Sequence, residues 1–318
     1  MYKRILPIII VILTTYYLIL NTAFAEGISL GVYPPILQID STPPAIIQAP
    51  VTIENLGDNS LNLTIDFKPF TTSDREDGQI QYISDSEANY IDPIIFQRVK
   101  IFDPTSSLGQ AITQLSLAPK QKKELIIRID LPREEPPGDY YFSILFLTRA
   151  NEPTESNSSQ SVSGIASNVL LSIGPKGKIK GEIQEFSSPL FMDKGPVPFT
   201  VRVKNTSNHF INPKGYILIK NIFGQTVGRV DLIQTNVLAN TVRNMPSTDF
   251  LSEETGAFWP EKFVLGIYKA TLTLALSDQG PILARDVLFL AFPFKILLEI
   301  IAGFVIIIYV IVKVRSRA

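Results

Sequence analysis

The chain has no cysteine, one histidine and one tryptophan among its 318 residues. Without cysteine there is no disulfide, no thiol nucleophile and no thiolate-bound metal, so every folded part must hold by core packing alone. For an exported chain this suits a bacterial surface better than an animal one. The lone histidine, His209, stands beside Asn208 in a stretch that reads as a turn, where a surface histidine is the expectation. Charge of one sign is lacking too: 29 basic and 30 acidic residues leave a formal net charge of −1. No overall field favours a polyanion, and nucleic acid is set aside as a partner. Between Glu26 and Phe292 no segment keeps a helical period for more than about two turns.

What is present is apolar at both ends. Met1 to Arg4 is a short basic segment, Ile5 to Leu20 an apolar run, and Ala23-Phe24-Ala25 a small-x-small site before Glu26. Together they read as a secretory signal over residues 1–25; a retained signal-anchor is the alternative. Near the other end, Ile296 to Val312 is apolar except for Glu299, and Lys313, Arg315 and Arg317 follow. The run reads as a transmembrane helix over residues 294–312, with 313–318 a basic cytoplasmic tail. Glu299 falls one turn after Lys295, and an i,i+4 pair at the outer headgroups is expected. The bulk of the chain is then extracytoplasmic, on a single-pass protein of the plasma membrane.

The middle of the chain alternates at period two in short runs punctuated by Pro, Gly and Asn. Val51-Thr52-Ile53 and Leu61 to Phe67 are expected to form a hairpin across Glu54 to Asn59. Further strands are expected at Ile94 to Phe102, Glu124 to Asp130, Tyr141 to Thr148 and Ile165 to Ile173. Asn151 to Gly164, rich in serine, reads as a loop between the last two. A second series runs from Gly181 to Phe292 and includes Phe199 to Val203, Lys214 to Lys220, Val227 to Leu232, Leu238 to Asn244 and Gly266 to Leu276. The fold class is therefore all-β: two tandem immunoglobulin-like β-sandwich domains, 26–174 and 178–292, with the boundary at Gly174 to Gly177. The halves echo one another. A strand ends at Asn55 in one and Asn205 in the other, and Gly138-Asp139-Tyr140 and Gly266-Ile267-Tyr268 each open a long strand.

Motifs that could carry chemistry meet structural objections. Gly27-Ile28-Ser29-Leu30-Gly31 matches a nucleophile elbow in letters, but Tyr33-Pro34-Pro35 follows where a helix is needed. Asp74 to Gly78 gathers carboxylates before a glycine, as a calcium loop does, yet position twelve is Asp85 rather than Glu; a solvated hairpin turn is the expectation. Lys120, Lys122 and Lys123 could meet anionic polymer or lie solvated in a turn. Asn62, Asn157 and Asn205 head N-x-S/T triplets. Trp259 reads as core, or as an exposed aromatic contact near headgroups. No residue is assigned a catalytic, cofactor-binding or metal-ligating role, and no cofactor is expected.

Pro34 to Ile39, Val51 to Asn55, Asp77 to Tyr82, Leu117 to Leu125 and Leu131-Pro132 through Pro137-Gly138-Asp139-Tyr140 resemble the first domain of the WxL-interacting cell-surface proteins of Gram-positive bacteria. More distantly they resemble the N-terminal immunoglobulin-like domain of pilus chaperones. The likeness covers about Ser29 to Gly174; Leu238 to Arg243 is only loosely similar in the second half. It implies a non-catalytic, membrane-anchored binding scaffold whose partners are other cell-surface proteins or peptidoglycan, with the bilayer contacted through the C-terminal helix. A membrane-tethered chaperone for assembly or export of surface proteins is the alternative, and an envelope hydrolase built on His209 is the third reading.

Overall fold

A computed structural model describes residues 29–83, 94–106, 109–148, 163–247, 256–278 and 280–315. The signal segment 1–25, the serine-rich stretch with Asn157, and Arg317 in the tail lie outside them.

The first sandwich has ten strands: β1 (Leu30–Tyr33), β2 (Ile36–Ser41), β3 (Ala45–Asn55), β4 (Leu61–Thr72), β5 (Ile80–Tyr82), β6 (Val99–Phe102), β7 (Gln114–Leu117), β8 (Lys122–Leu131), β9 (Gly138–Thr148) and β10 (Gly164–Ile173). One sheet runs β1-β3-β8-β6, and the other β2-β10-β9-β4-β5 with β7 also on β4. The period-two pattern turns Val51 and Ile53 of β3 and Leu125, Ile127 and Ile129 of β8 inward. There they meet Phe142, Ile144 and Phe146 of β9 and Val169 and Leu171 of β10. Each such side chain contributes about 1.5–3 kcal/mol by leaving water. In a chain without disulfides this burial is the main source of stability.

The second sandwich has nine strands: β11 (Gly181–Ser187), β12 (Phe191–Met192), β13 (Val197–Asn205), β14 (Lys214–Asn221), β15 (Thr226–Asp231), β16 (Val242–Asn244), β17 (Ala257–Trp259), β18 (Gly266–Ala275) and β19 (Ile282–Ala291). Its sheets run β11-β13-β16, with β17 also on β13, and β12-β19-β18-β14-β15. Both sandwiches open the same way. The first strand pairs antiparallel in one sheet, β1 with β3 and β11 with β13; the chain then crosses, and the next strand runs parallel to the last strand of the opposite sheet, β2 with β10 and β12 with β19. Pro34 and Pro35 make the first crossing, where two residues without an N–H end the ladder of β1.

Three expectations are corrected. The strands around Val51 and Leu61 are not a hairpin: β3 and β4 lie in opposite sheets, and 56–60 passes between them. Period two reports a buried face, and it cannot say which sheet supplies that face. The stretch from Ile94 opens with a short helix, α1 (Ile94–Arg98), before β6. Of Leu238 to Asn244, only the last three residues form a strand.

The echo between the halves extends to their buried polar groups. Asn55 and Asn205, at the ends of β3 and β13, are both fully buried. Asn55 Oδ1 accepts from Gly57 N, and its Nδ2 donates to the carbonyls of Asn59, Leu117 and Ala118. Asn205 Oδ1 accepts from Ser207 N, and its Nδ2 donates to His209, Val237 and Leu238. Lys120 and Asn240, two residues past each carbonyl pair, both sit at φ +58. One side chain thus ties together two loops that no strand ladder joins.

Helix α2 (Phe294–Arg315) runs for 22 residues, about 33 Å at 1.5 Å per residue. From Leu297 to Val312 its large apolar side chains are exposed all round. Among the described residues no helix is long and apolar enough to cross a membrane. The Lys295–Glu299 pair expected at its start does not form; Lys295 Nζ meets Asp193 Oδ2 at 2.6 Å.

Replacing either asparagine with alanine strands several buried carbonyls and one amide, at about 1–3 kcal/mol for each group left unsatisfied. Asn55→Ala and Asn205→Ala should each lower unfolding free energy by roughly 2–4 kcal/mol, read by denaturant titration of the full chain in detergent. A loss under about 1 kcal/mol would contradict the bracing role.

Candidate functional site at the junction of the two sandwiches

Ionisable groups withdrawn from water and brought together from distant parts of the chain lie between the sandwiches. Asp139, second residue of β9, has only 2% of its side chain exposed. Its Oδ2 accepts from Tyr141 O–H and Phe210 N–H, each at 2.5 Å, and its Oδ1 lies 2.7 Å from His209 Nδ1. Ser172 Oγ, whose residue faces Asp139 across the β9–β10 ladder, is 2.8 Å from the same nitrogen. The Tyr141 hydroxyl oxygen in turn accepts from Ala239 N–H. Burial first, and then the Asp139 charge, push the Tyr141 phenol far above its ordinary pKa, so it stays a donor.

An apolar cluster continues from this point. Phe70 of β4 and Leu170 of β10, on the outer face of their sheet, close with Phe210 and Leu238 from two loops of the second sandwich. The Phe70 and Tyr141 rings stack with centroids 6.3 Å apart, and Lys176 Nζ lies 4.8 Å from the centre of the Phe210 ring.

The turn between β4 and β5 makes a second polar pin. Asp77 accepts from Ser73 Oγ–H and Gln79 N–H; the Gln79 bond is the main reason its carboxyl lies below the usual range. So shaped, the turn places Glu76 at φ +57. Both Glu76 oxygens accept from Arg202 of β13, at 2.6 Å each, and its carbonyl accepts from Asn244 N–H. The Glu76 bond raises the Arg202 pKa. Beside it the Arg243 guanidinium lies against Gly78, where any Cβ would collide with it. Burial lowers the Arg243 pKa.

Serine, histidine and aspartate meet here, but not as a hydrolase needs them. A triad uses both ring nitrogens, one toward the acid and one toward the nucleophile; here Asp139 and Ser172 share Nδ1. Ser172 is also buried, out of reach of substrate. The arrangement can bind and orient two protein surfaces, with no relay to a nucleophile. A cleft of about 650 Å³ runs beside it, lined in part by Asp40, Lys176, Lys178, Lys180 and His209.

Several sequence-level readings change. His209 is 9% exposed and belongs to the junction rather than to the surface. Asp74 to Gly78 is a turn, yet Glu76 docks it on the second sandwich instead of leaving it solvated; among the described residues no group of His, Asp or Glu could hold a metal. Lys120 is tied to the Leu56 carbonyl and Asp58, and Lys123 to Asp103. Trp259 is core, edge-on to Tyr268 at 5.5 Å. Asn205 is fully buried, which closes it to glycan attachment. Ser29 precedes β1 with no helix after it. Sequence reasoning missed the roles of Asp139, Glu76 and Arg202; for Asp139 and Arg202 the only available signal was a charge inside a strand, and Glu76 was one of several acids in the turn 74–78.

No protein-family model matches the chain, and no curated protein matches it. Solved structures do. The class 5 fimbriae chaperone CfaA is 12% identical with a TM-score of 0.36, covering 83% of this chain and 100% of its own. The E. coli chaperone DraB is 12% identical at 0.36, covering 82% and 96%. A chaperone–tip adhesin complex of CFA/I fimbriae biogenesis is 10% identical at 0.37, covering 83% and 98%. Likeness at this level concerns the fold alone. No WxL-interacting protein is among these three.

Two charged partners, each about one-third exposed or less, joined by two parallel bonds should couple measurably. A double-mutant cycle of Glu76→Ala and Arg202→Ala should return a coupling of about 1–2 kcal/mol, with faster hydrogen exchange at the Asn244 amide in both single variants. Additive effects would show that the turn is not docked in solution. Asp139→Ala should cost roughly 2–4 kcal/mol by stranding buried donors on both sandwiches, again read by denaturant titration.

Proposed function

We propose that this chain is a membrane-tethered, non-catalytic module that binds other proteins on the outer side of a bilayer. The observation that carries the reading is α2: a helix of 22 residues whose large apolar side chains from Leu297 to Val312 are exposed, while its first two residues, Phe294 and Lys295, touch the second sandwich at Phe191 and Asp193. Such a surface suits a lipid surround and is costly in water. The basic residues Lys313 and Arg315 in its last turn, with Arg317 after it, favour the cytoplasmic side for that end, which leaves the sandwiches outside. Ser172, His209 and Asp139 lack a triad's geometry, which favours binding over hydrolysis.

Strand addition is the contact mode the fold offers. Strand β1 flanks one sheet of the first sandwich and β15 a sheet of the second, so each presents an edge to which an extended partner segment could add; the edge of β6 is already met by Ala111 and Ile112. The partner is held either permanently, as the WxL-interacting resemblance implies for surface proteins or peptidoglycan, or transiently, as in an assembly chaperone. The transient form matches what the similar solved structures are named for, chaperones of fimbriae, one of them with a tip adhesin.

Three measurements test this. Full-length protein should stay with membranes through alkaline carbonate extraction, and protease added to intact cells should cut the sandwiches; release of the protein or full protection would contradict the tether. Crosslinking on living cells should capture an extracytoplasmic protein. A complex that persists through a chase of the captured partner supports the scaffold, and one that turns over as that partner reaches its final assembly supports the chaperone.

A further inference from the structure

Most exposed large apolar side chains of the second sandwich gather at one end; Ile282, 70% exposed, stands at the other. Strand β14 finishes at Asn221 opposite Tyr268, β18 begins at Gly266 opposite Ala291, and Phe191 of β12 lies opposite Leu290 of β19. The turn after β14, the loop before β18, strand β12 and the finish of β19 therefore share the end from which α2 leaves through Phe292 and Pro293. Each carries apolar side chains into solvent: Phe191 at β12, Ile222 and Phe223 in the β14–β15 turn, Phe263 and Leu265 before β18, and Leu290 on β19. Phe223 is 81% exposed at the tip of its turn. The tip is braced, since Asn221 Oδ1 accepts from the N–H groups of Phe223 and Gln225 and Gly224 takes φ +78. At the other end of β18 the turn into β19 carries Ser277 and Asp278 and a single large exposed apolar side chain, Ile282.

A lone exposed leucine needs no explanation, but apolar side chains converging from four separate segments mark a contact surface. The patch runs into α2. Phe191 and Phe294 rings approach to 6.1 Å, and Lys295 of the helix meets Asp193 at 2.6 Å. Cations border it: Lys194 and Lys262 are neighbours through the Gly195 N–H bond to the Lys262 carbonyl, while Lys220 faces Lys269 across the β14–β18 ladder. Glu261 and Asp286, the latter paired with Lys269, are the acidic groups beside them. Aromatic and aliphatic tips rimmed by lysine fit the boundary between headgroups and acyl chains.

We infer that this end of the second sandwich is seated in the outer surface of the bilayer that α2 crosses, with Phe223 and Leu265 among the acyl chains and the lysines at anionic headgroups. The inference rests on the reading of α2 as a span, and it adds that the sandwich lies against lipid instead of swinging above it. A second copy of the chain on the same patch is the competing occupant.

The absence of cysteine allows a direct test with the full chain. Single variants Phe223→Cys, Leu265→Cys, Ile46→Cys on the exposed side of β3, and Val305→Cys within α2 are labelled with the fluorophore NBD. They are reconstituted into vesicles of phosphatidylcholine and phosphatidylglycerol in equal parts, with or without lipids spin-labelled near the headgroup or deep in the chain. The labels at 223 and 265 should shift to the blue and be quenched by the shallow spin label, the label at 305 by the deep one, and the label at 46 by neither. If 223 and 265 behave like 46 while 305 is quenched, the seating is wrong and the span stands. If 305 is unquenched as well, both fall. Energy transfer between differently labelled copies at 223 without lipid quenching would assign the patch to self-association and overturn the seating.

Discussion

A carboxylate taken out of water must be met by donors, and two of the three groups that meet Asp139 belong to the other sandwich. His209 and Phe210 reach it across the junction while Tyr141 reaches it from its own strand. Separating the sandwiches would leave Asp139 with one donor and expose the Phe70, Leu170, Phe210 and Leu238 cluster at once. Glu76 on Arg202 repeats the logic from the turn between β4 and β5. A polar pin on each side of an apolar centre resists both sliding and hinging, because neither pin can move without unpairing a partly or fully buried charge. The junction is thus what turns two small sandwiches, neither with a disulfide, into one body.

That rigidity gives the membrane end its meaning. The second sandwich continues into α2 through two residues, Phe292 and Pro293, with Lys295 held by Asp193. An orientation imposed at the bilayer would then pass through the pinned junction to the first sandwich. A module that holds other proteins at a defined distance and angle from a membrane benefits from such stiffness, because little ordering entropy is lost when the partner docks.

Alternation at period two located nearly every long strand, because one buried face leaves a direct trace in the letters. It could not assign strands to sheets: β3 and β4 look like a hairpin although 56–60 crosses between layers. The repeat was legible at Asn55 and Asn205, although the three-carbonyl bracket behind it was not, since its acceptors lie far along the chain. The junction was hardest to read. Asp139 and Arg202 are ordinary charges in strands, and Glu76 an ordinary acid in a turn, until the fold sets Asp139 against His209 and Glu76 against Arg202. His209 was misjudged for the same reason, as a turn residue is solvent-facing only while no second domain covers it.

The claim that the junction makes one body of the two sandwiches can be measured by placing spin labels at Leu56→Cys in the first and Ile282→Cys in the second, in the full chain, and recording pulsed dipolar spectra. The account predicts a single narrow distance distribution that broadens when Asp139→Ala and Glu76→Ala are introduced together. A broad distribution in the parent chain, unchanged by those substitutions, would contradict it.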